Sequence, residues 1–418
     1  MNIGWKKNTV LFLTSQTLSL FGTMLVQYAI MWHIVLKTQS GVMMTLYIVA
    51  GVLPTFFTSL FGGVWADKYN KKHLINISDG SIAAVSLAIA ITLVAGYDSI
   101  VLLLIAAMMR ALGQGVQQPA VHSLIPHIVP EDKLLRINGI NGSIQSGIFL
   151  VSPIISASLM SIAPLETLFF IDVITAAIAI SILYFLVKVP HTVSKKENTE
   201  NTSHFADLIN GLKYIKSQKY LLKLIIISAI FMIAIGPVSI LSPLQVTRNF
   251  GTDLWRLSAI EIGFAGGMML GGILVGIWSF RNRMYSIGMA NIAFGILTVS
   301  FGLWTNFIPY LVCMGLCGIF LAYFNAPNMT LLQEKVAPDY LGRVLSVFTM
   351  LGSVAMPFGM LFFGPLSDVV SINYLMIGTG TVMLLLGTPF FFNKTLRTAG
   401  IKNNLMNKHD YECSIQNH

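Results

Sequence analysis

Twelve stretches of the chain are mostly apolar over roughly 20 residues or more, and short polar breaks separate them. Their approximate spans are 10–36, 42–66, 73–95, 99–119, 138–163, 167–188, 222–246, 257–280, 285–304, 307–327, 343–366 and 373–393. About 20 apolar residues, rising 1.5 Å each as a helix, match the ~30 Å hydrocarbon layer of a bilayer. Within that layer every backbone amide must find its partner in the same segment, so the stretches are helices rather than isolated strands. The pattern predicts an all-α polytopic membrane protein of twelve transmembrane helices. The longest polar break runs from Pro190 to about Lys223. Its first part, with Lys195, Lys196, Glu197 and Glu200, reads as a linker. Its second part, Phe205 to Ile215, has the period of an amphipathic helix lying on the membrane. The expected organisation is a six-helix bundle over 1–189, a cytoplasmic linker over 190–221, a second six-helix bundle over 222–393 and a cytoplasmic tail over 394–418.

Composition and charge agree with this pattern. The 418 residues are 55% hydrophobic and only 10% charged, whereas a soluble domain carries about 25% charged residues. Too few charges remain to cover a soluble surface, which excludes a soluble multi-domain enzyme. With the amino terminus placed inside, 22 of the 26 Lys and Arg fall on cytoplasmic segments, as the positive-inside rule requires. Lys37, Arg248 and Arg256 fall outside, and Arg110 lies within a span. The net charge of +9 therefore lines every inner loop instead of forming one patch, which argues against nucleic acid. The expected location is the cell membrane, with both termini cytoplasmic. Residues Met1 to Thr9 precede a long apolar stretch without a small-residue cleavage site, so the first segment is expected to stay as a helix. Cys313, Cys317 and Cys413 form neither a disulfide framework nor a zinc spacing.

The halves repeat. Pro119 and Pro130 are eleven residues apart, as are Pro327 and Pro338, at an offset of 208 residues, and each pair precedes an arginine, Arg136 or Arg343. Gly62-Gly63 in the second span is echoed by Gly271-Gly272 in the eighth. A parallel six-plus-six duplication is a transporter pattern, with the substrate near the midplane between halves. The end of span 2 reads Gly63-Val-Trp-Ala-Asp67-Lys68-Tyr-Asn70-Lys71-Lys72. It resembles the signature loop of the major facilitator superfamily, with Asn70 where that family has glycine; Asn tolerates the left-handed conformation, so the turn is expected to survive. An acid at a helix end beside a basic loop can pair in one conformation and release in another. Gly63, Asp67, Lys68, Lys71 and Lys72 are thus candidates for a conformational latch.

An arginine inside a span marks a functional site by default. Arg110, in Met108-Met109-Arg110-Ala-Leu-Gly113-Gln114-Gly115, resembles the family's fourth-helix arginine, and that resemblance implies a part in proton coupling. Two acids lie within apolar stretches, Asp172 in span 6 and Glu261 in span 8, and a desolvated carboxyl is a candidate proton carrier. Asp172 is favoured, because Phe169, Phe170 and Ile171 precede it and its side chain is short. Asp79 and Glu166 lie closer to helix ends and read as end-of-helix charges. Gln27, Gln114, Gln145 and Asn325 are candidates to line a substrate cavity. The glycines of span 8, from Gly263 to Gly276, read as close helix packing. No phosphate-binding Gly-Lys-Ser/Thr loop, metal cluster or nucleophile triad is visible, so neither enzyme activity nor a cofactor nor a metal is expected.

Beyond the short motifs, Val129-Pro-Glu-Asp-Lys-Leu-Leu, Ser152-Pro153, Ile171-Asp172-Val, Gln333-Glu-Lys-Val and Tyr340-Leu-Gly-Arg-Val344 resemble the macrolide-efflux branch of the superfamily. The resemblance implies the major facilitator fold and proton-coupled efflux of a small amphipathic drug by alternating access. The expected partners are a small hydrophobic substrate, protons and lipid, with a monomer as the working unit. Tetracycline exporters and exporters of a native metabolite such as a siderophore share much of the pattern and stay open as alternatives.

Overall fold

The computed structural model describes residues 4–189, 204–278 and 282–400. The linker part of the polar break (190–203), Arg281, and the tail from 401 on, with Cys413, lie outside the described residues. Among these the chain forms helices and no β-strand, as the bilayer requires of its backbone. The first six are α1 (Trp5–Thr38), α2 (Gly41–Lys68), α3 (Lys71–Val94), α4 (Ile100–Ile128), α5 (Leu134–Ile162) and α6 (Leu165–Ser181). They start where the polar breaks end, and side chains in the breaks cap them. Asn70 accepts from the amides of Lys72 and His73 at the start of α3, and Asn306 accepts from Ile308 at the start of a later helix. Such caps satisfy amides that have no partner within the helix. Asn70 is extended (φ −64°, ψ 112°), which corrects the expected left-handed turn: the side chain serves as a cap instead.

A short helix, α7 (His204–Ser217), follows and meets α8 (Lys219–Ala234) at 113°. At 16 residues α8 reaches only about 24 Å. The winding continues through a π turn at Pro237–Leu241 into α9 (Ser242–Asn249). Pro237 has no N–H to donate, and the looser i→i+5 turn forms at the proline. The second half then runs α10 (Leu254–Ile277), α11 (Arg283–Phe301), α12 (Phe307–Lys335), α13 (Pro338–Val369) and α14 (Ile372–Gly387), with α15 (Pro389–Phe392) and α16 (Lys394–Ala399) closing it. Eleven of the described helices are long and apolar enough to cross a bilayer, and a twelfth crossing is counted when bent helices are joined. The first residues of the expected tail are helical and docked, since Arg283 N donates to Gly400 O at 3.2 Å.

Packing repeats between the halves. In the first, α2 lies on α4, α3 on α4 and α6, and α1 on α5 and α6. In the second, α10 lies on α12, and α11 on α12 and α14. The halves meet mainly along α5 with α10 and α2 with α13. The repeat exchanges those two pairs, since span 2 corresponds to span 8 and span 5 to span 11. Glycines set the closest approaches. A Cβ on Gly115 would lie 2.6 Å from Thr55 O, and one on Gly267 would lie 1.9 Å from Gly315 O. Gly272 has open space around it, so only part of the span 8 glycine run is packing. Gly267→Ala therefore overpacks the α10–α12 seam and should lower thermal stability in detergent by about 1–3 kcal/mol. Gly272→Ala should be neutral or slightly stabilising through helix propensity. Equal melting temperatures for the two variants would refute this account of the seam.

Candidate functional site

Three helices of the first half carry polar residues at intervals of three, four or seven, which return to one side of a helix. They are Gln16, Ser19, Thr23 and Gln27 on α1, Asp79 and Ser86 on α3, and Arg110, Gln114 and Gln117 on α4. These stripes face each other inside the half, and Asp172 on α6 completes the ring. Arg110 is 3% exposed and Asp172 1%. Arg110 Nη1 donates to Asp172 Oδ2 and to Ser86 Oγ, and its Nη2 donates to Thr23 O at 3.4 Å. Ser86 Oγ in turn donates to Asp172 Oδ2 at 2.6 Å. Gly22 lets α1 come close here, because a Cβ would stand 2.8 Å from Asp172 Oδ1. The sequence singled out Arg110 and Asp172 separately; the fold makes them one buried ion pair.

Two turns along α3, Asp79 is 2% exposed. It is a core group, not the end-of-helix charge expected from its position. Ser19 Oγ donates to its Oδ1 at 2.9 Å, and Gln117 Nε2 does so at 3.2 Å. Gln117 also donates to Gln16 Oε1 at 3.2 Å. Asp79 Oδ2 is buried without a hydrogen-bond partner.

Three cavities open inside the bundle. One of about 360 Å³ is lined by Asp79 with Gln27, Gln114, Gln117, Gln118 and Gln145. A second, of about 540 Å³, shares Gln27 and Gln114 but is otherwise mainly apolar, with Phe56 and Phe57 of α2 facing Val354 and Phe358 of α13. A third, of about 600 Å³, lies in the second half and holds Glu261 and Asn325 among Phe264, Met314 and Phe348. The fold thus brings Gln27, Gln114 and Gln145 together and leaves Glu261 and Asn325 in a separate chamber.

Of the signature-loop residues, Lys72 donates to Tyr184 O at 2.7 Å and Val187 O at 2.8 Å, a cation on the last carbonyls of a helical segment. Gly63 has open space around it, and Gly62 is the one pressed against α4, 2.7 Å from Gly115 O to an added Cβ. Asp67 stands in the last turn of α2; its side chain lies outside the described set. Lys68 and Lys71 flank the turn into α3.

At the other end of α2 is a contact that the sequence did not point to. Asp368 of α13 accepts from Ser40 Oγ (2.7 Å), Gly41 N (2.7 Å) and Val42 N (3.0 Å). Arg248 of α9 donates to Asp368 Oδ1 at 2.8 Å and to Ser367 O at 2.7 Å. Two segments from the second half thereby hold the start of α2. Among the described residues no group of three His, Cys, Asp or Glu could hold a metal.

The family model described as Major Facilitator Superfamily matches residues 10–360. The chain belongs to the Major Facilitator Superfamily. This major facilitator is similar to Macrolide efflux protein A of Streptococcus pyogenes, 29% identical over 389 residues that cover 91% of the chain and 94% of the relative. It is also similar to Macrolide efflux protein A of Enterococcus faecalis, 31% identical over 71% of the chain and 93% of the relative. Its fold resembles the crystal structure of a bacterial homolog of the human lysosomal transporter Spinster (TM-score 0.69, 14% identity, covering 96% of this chain and 100% of that one).

Removing one partner of a buried ion pair strands the other, at about 3–5 kcal/mol, whereas replacing both by apolar residues is often neutral. Arg110→Met should therefore lower thermal stability in detergent strongly, and adding Asp172→Leu should restore most of the loss. Additive losses in the double variant would show that the two side chains do not act as a pair.

Proposed function

We propose that this major facilitator exports small amphipathic, macrolide-like drugs across the cell membrane by proton-coupled alternating access. The observation that carries the reading is the apolar cavity between α2 and α13, floored by Gln27 and Gln114, at the seam of the two halves. Its size together with the adjoining chamber suits one bulky, mostly apolar molecule with a few polar groups. The extensive similarity to Macrolide efflux protein A supports the choice of cargo. A carboxylate-rich chelator suits the lining less well, because no Lys or Arg is among the residues described around the three cavities.

With the amino terminus cytoplasmic, the Asp368–Arg248 contact lies on the outer side and closes it. Leu135 near the inner start of α5 and Ile277 and Trp278 at the inner end of α10 are exposed, which fits a cavity reached from the cytoplasm. In the proposed cycle the outer contact opens as the signature loop around Asp67 closes the inner side. Coupling rests on Arg110 with Asp172 and, in the other half, on Glu261. Arginine keeps its proton, so the exchangeable one belongs to a carboxyl. Protonating Asp172 would remove the charge that holds Arg110 and free the guanidinium to change partners.

Expression in an efflux-deficient bacterium should reduce macrolide susceptibility at least fourfold, and an uncoupler should abolish the effect. Unchanged susceptibility to macrolides, with protection against tetracycline instead, would replace this cargo by the alternative. In inverted vesicles under an imposed pH gradient, Asp172→Asn should abolish uphill drug uptake while leaving downhill exchange measurable. If Asp172→Asn and Glu261→Gln both accumulate drug at the unmutated rate, neither acid carries the proton.

A further inference from the structure

We infer that Asp79 is the receptor for the positive charge of an amphipathic cation, which enters with its charged group toward α3 and its apolar body between α2 and α13. The inference rests on the transport reading above and adds what the cavity selects and which residue selects it. Asp79 is buried in the interior of the first half, yet only one of its oxygens is satisfied: Oδ1 accepts from Ser19 and Gln117, and Oδ2 has no partner. A buried carboxylate without a counter-charge is costly in a membrane protein and marks a ligand or ion site. Asp172, the acid nearest in kind, is already met by Arg110 and Ser86. No Lys or Arg is described around the chamber that Asp79 lines, so a cation for Asp79 has to come from outside the protein.

The surroundings specify the rest of the ligand. Gln27, Gln114 and Gln145 line the same chamber, and their amide oxygens can accept from further donors on the ligand. Gln27 and Gln114 are shared with the apolar cavity, so the two spaces join at those amides. A molecule with its charge at Asp79 therefore places its body against Phe56, Phe57 and Phe358. Aromatic faces there suit an apolar organic body, which a hydrated metal ion lacks. Among the residues described around the three cavities the other acid is Glu261, so the charge described there favours cations.

The test compares two probes of similar shape, tetraphenylphosphonium and neutral triphenylphosphine oxide, binding to the full-length protein in lipid nanodiscs. Asp79→Asn keeps the size and the contacts of Oδ1. It should raise the Kd of tetraphenylphosphonium about tenfold or more and leave that of the phosphine oxide within about twofold, while Asp79→Glu retains most cation binding. In the unmutated protein, saturating tetraphenylphosphonium should slow labelling of Asp79 by dicyclohexylcarbodiimide, read by mass spectrometry, which holds even if a variant fails to fold. Equal weakening of both probes, an unchanged Kd for the cation, binding of neither probe, or undiminished labelling would each overturn the assignment. If the unmutated protein confers no macrolide protection yet binds the cation through Asp79, the cargo proposed above fails and the receptor stands.

Discussion

A polar atom placed in hydrocarbon has to find its partner within the protein, because an unsatisfied group costs several kcal/mol there. The backbone meets this demand by winding into helices, and where it leaves the α geometry at Pro237 it keeps winding as a π turn, Pro237–Leu241. The same demand decides what a side chain such as Arg110 can do. Its guanidinium cannot shed its proton, so it must be surrounded by acceptors: a carboxylate from α6, a hydroxyl from α3 and a carbonyl from α1. One arginine thereby fixes the mutual arrangement of four helices in the first half, and any movement of those helices has to offer it new partners or take all of them along.

The two halves meet the demand differently, although their packing repeats. In the second half Phe231, Phe294, Phe301, Phe324 and Tyr310 form a tight aromatic core, with the tilted rings of Phe231 and Phe324 4.3 Å apart between centroids. The buried polar groups described in this half are uncharged, such as Gln245, which bonds Phe301 O, Asn373 and Tyr310, and its one acid on a described cavity is Glu261. The first half is threaded by the polar stripes of α1, α3 and α4, and its hydrophobic clusters lie above and below them. The charged groups described inside the bundle are thus unevenly shared, with Arg110, Asp172 and Asp79 in the first half and Glu261 in the second.

Much of this was legible in the chain. Eleven of the apolar stretches became helices long enough to cross a bilayer and the seventh a broken one, and the cost of an intramembrane charge points to Arg110 and Asp172 without showing their pairing. The misses share one physical cause. Apolar length gives depth along a helix but not which side of it faces the bundle, so Asp79 was placed by its distance from the helix end and dismissed. The signal that would have found it was periodic: Gln16, Ser19, Thr23 and Gln27 recur on one face of α1, and Asp79 with Ser86 on one face of α3. No local pattern could have given the outer contact, since Ser40 and Asp368 are 328 positions apart. Asn70 failed in the opposite way: its permissive backbone suggested a left-handed turn, while its side-chain oxygen was the property that the helix start used.

The outer contact also sets the scale of the proposed cycle. Arg248 and Asp368 are 28% and 26% exposed, and an ion pair that open contributes about 1 kcal/mol or less. The three bonds from the start of α2 all end on the Asp368 carboxylate and add about 1.5 kcal/mol or more each. The sum, a few kcal/mol, compares with the ~5.5 kcal/mol that carries a two-state equilibrium from 1:99 to 99:1. A contact of this size biases one state without trapping it, and binding a cargo or a proton can offset it. The buried pair Arg110–Asp172 is of similar strength, since stranding one partner costs about 3–5 kcal/mol, and in the proposed cycle it parts only when Asp172 takes a proton. In that cycle the buried pair answers to the proton, and the partly solvated contact at the seam answers to the movement of the halves.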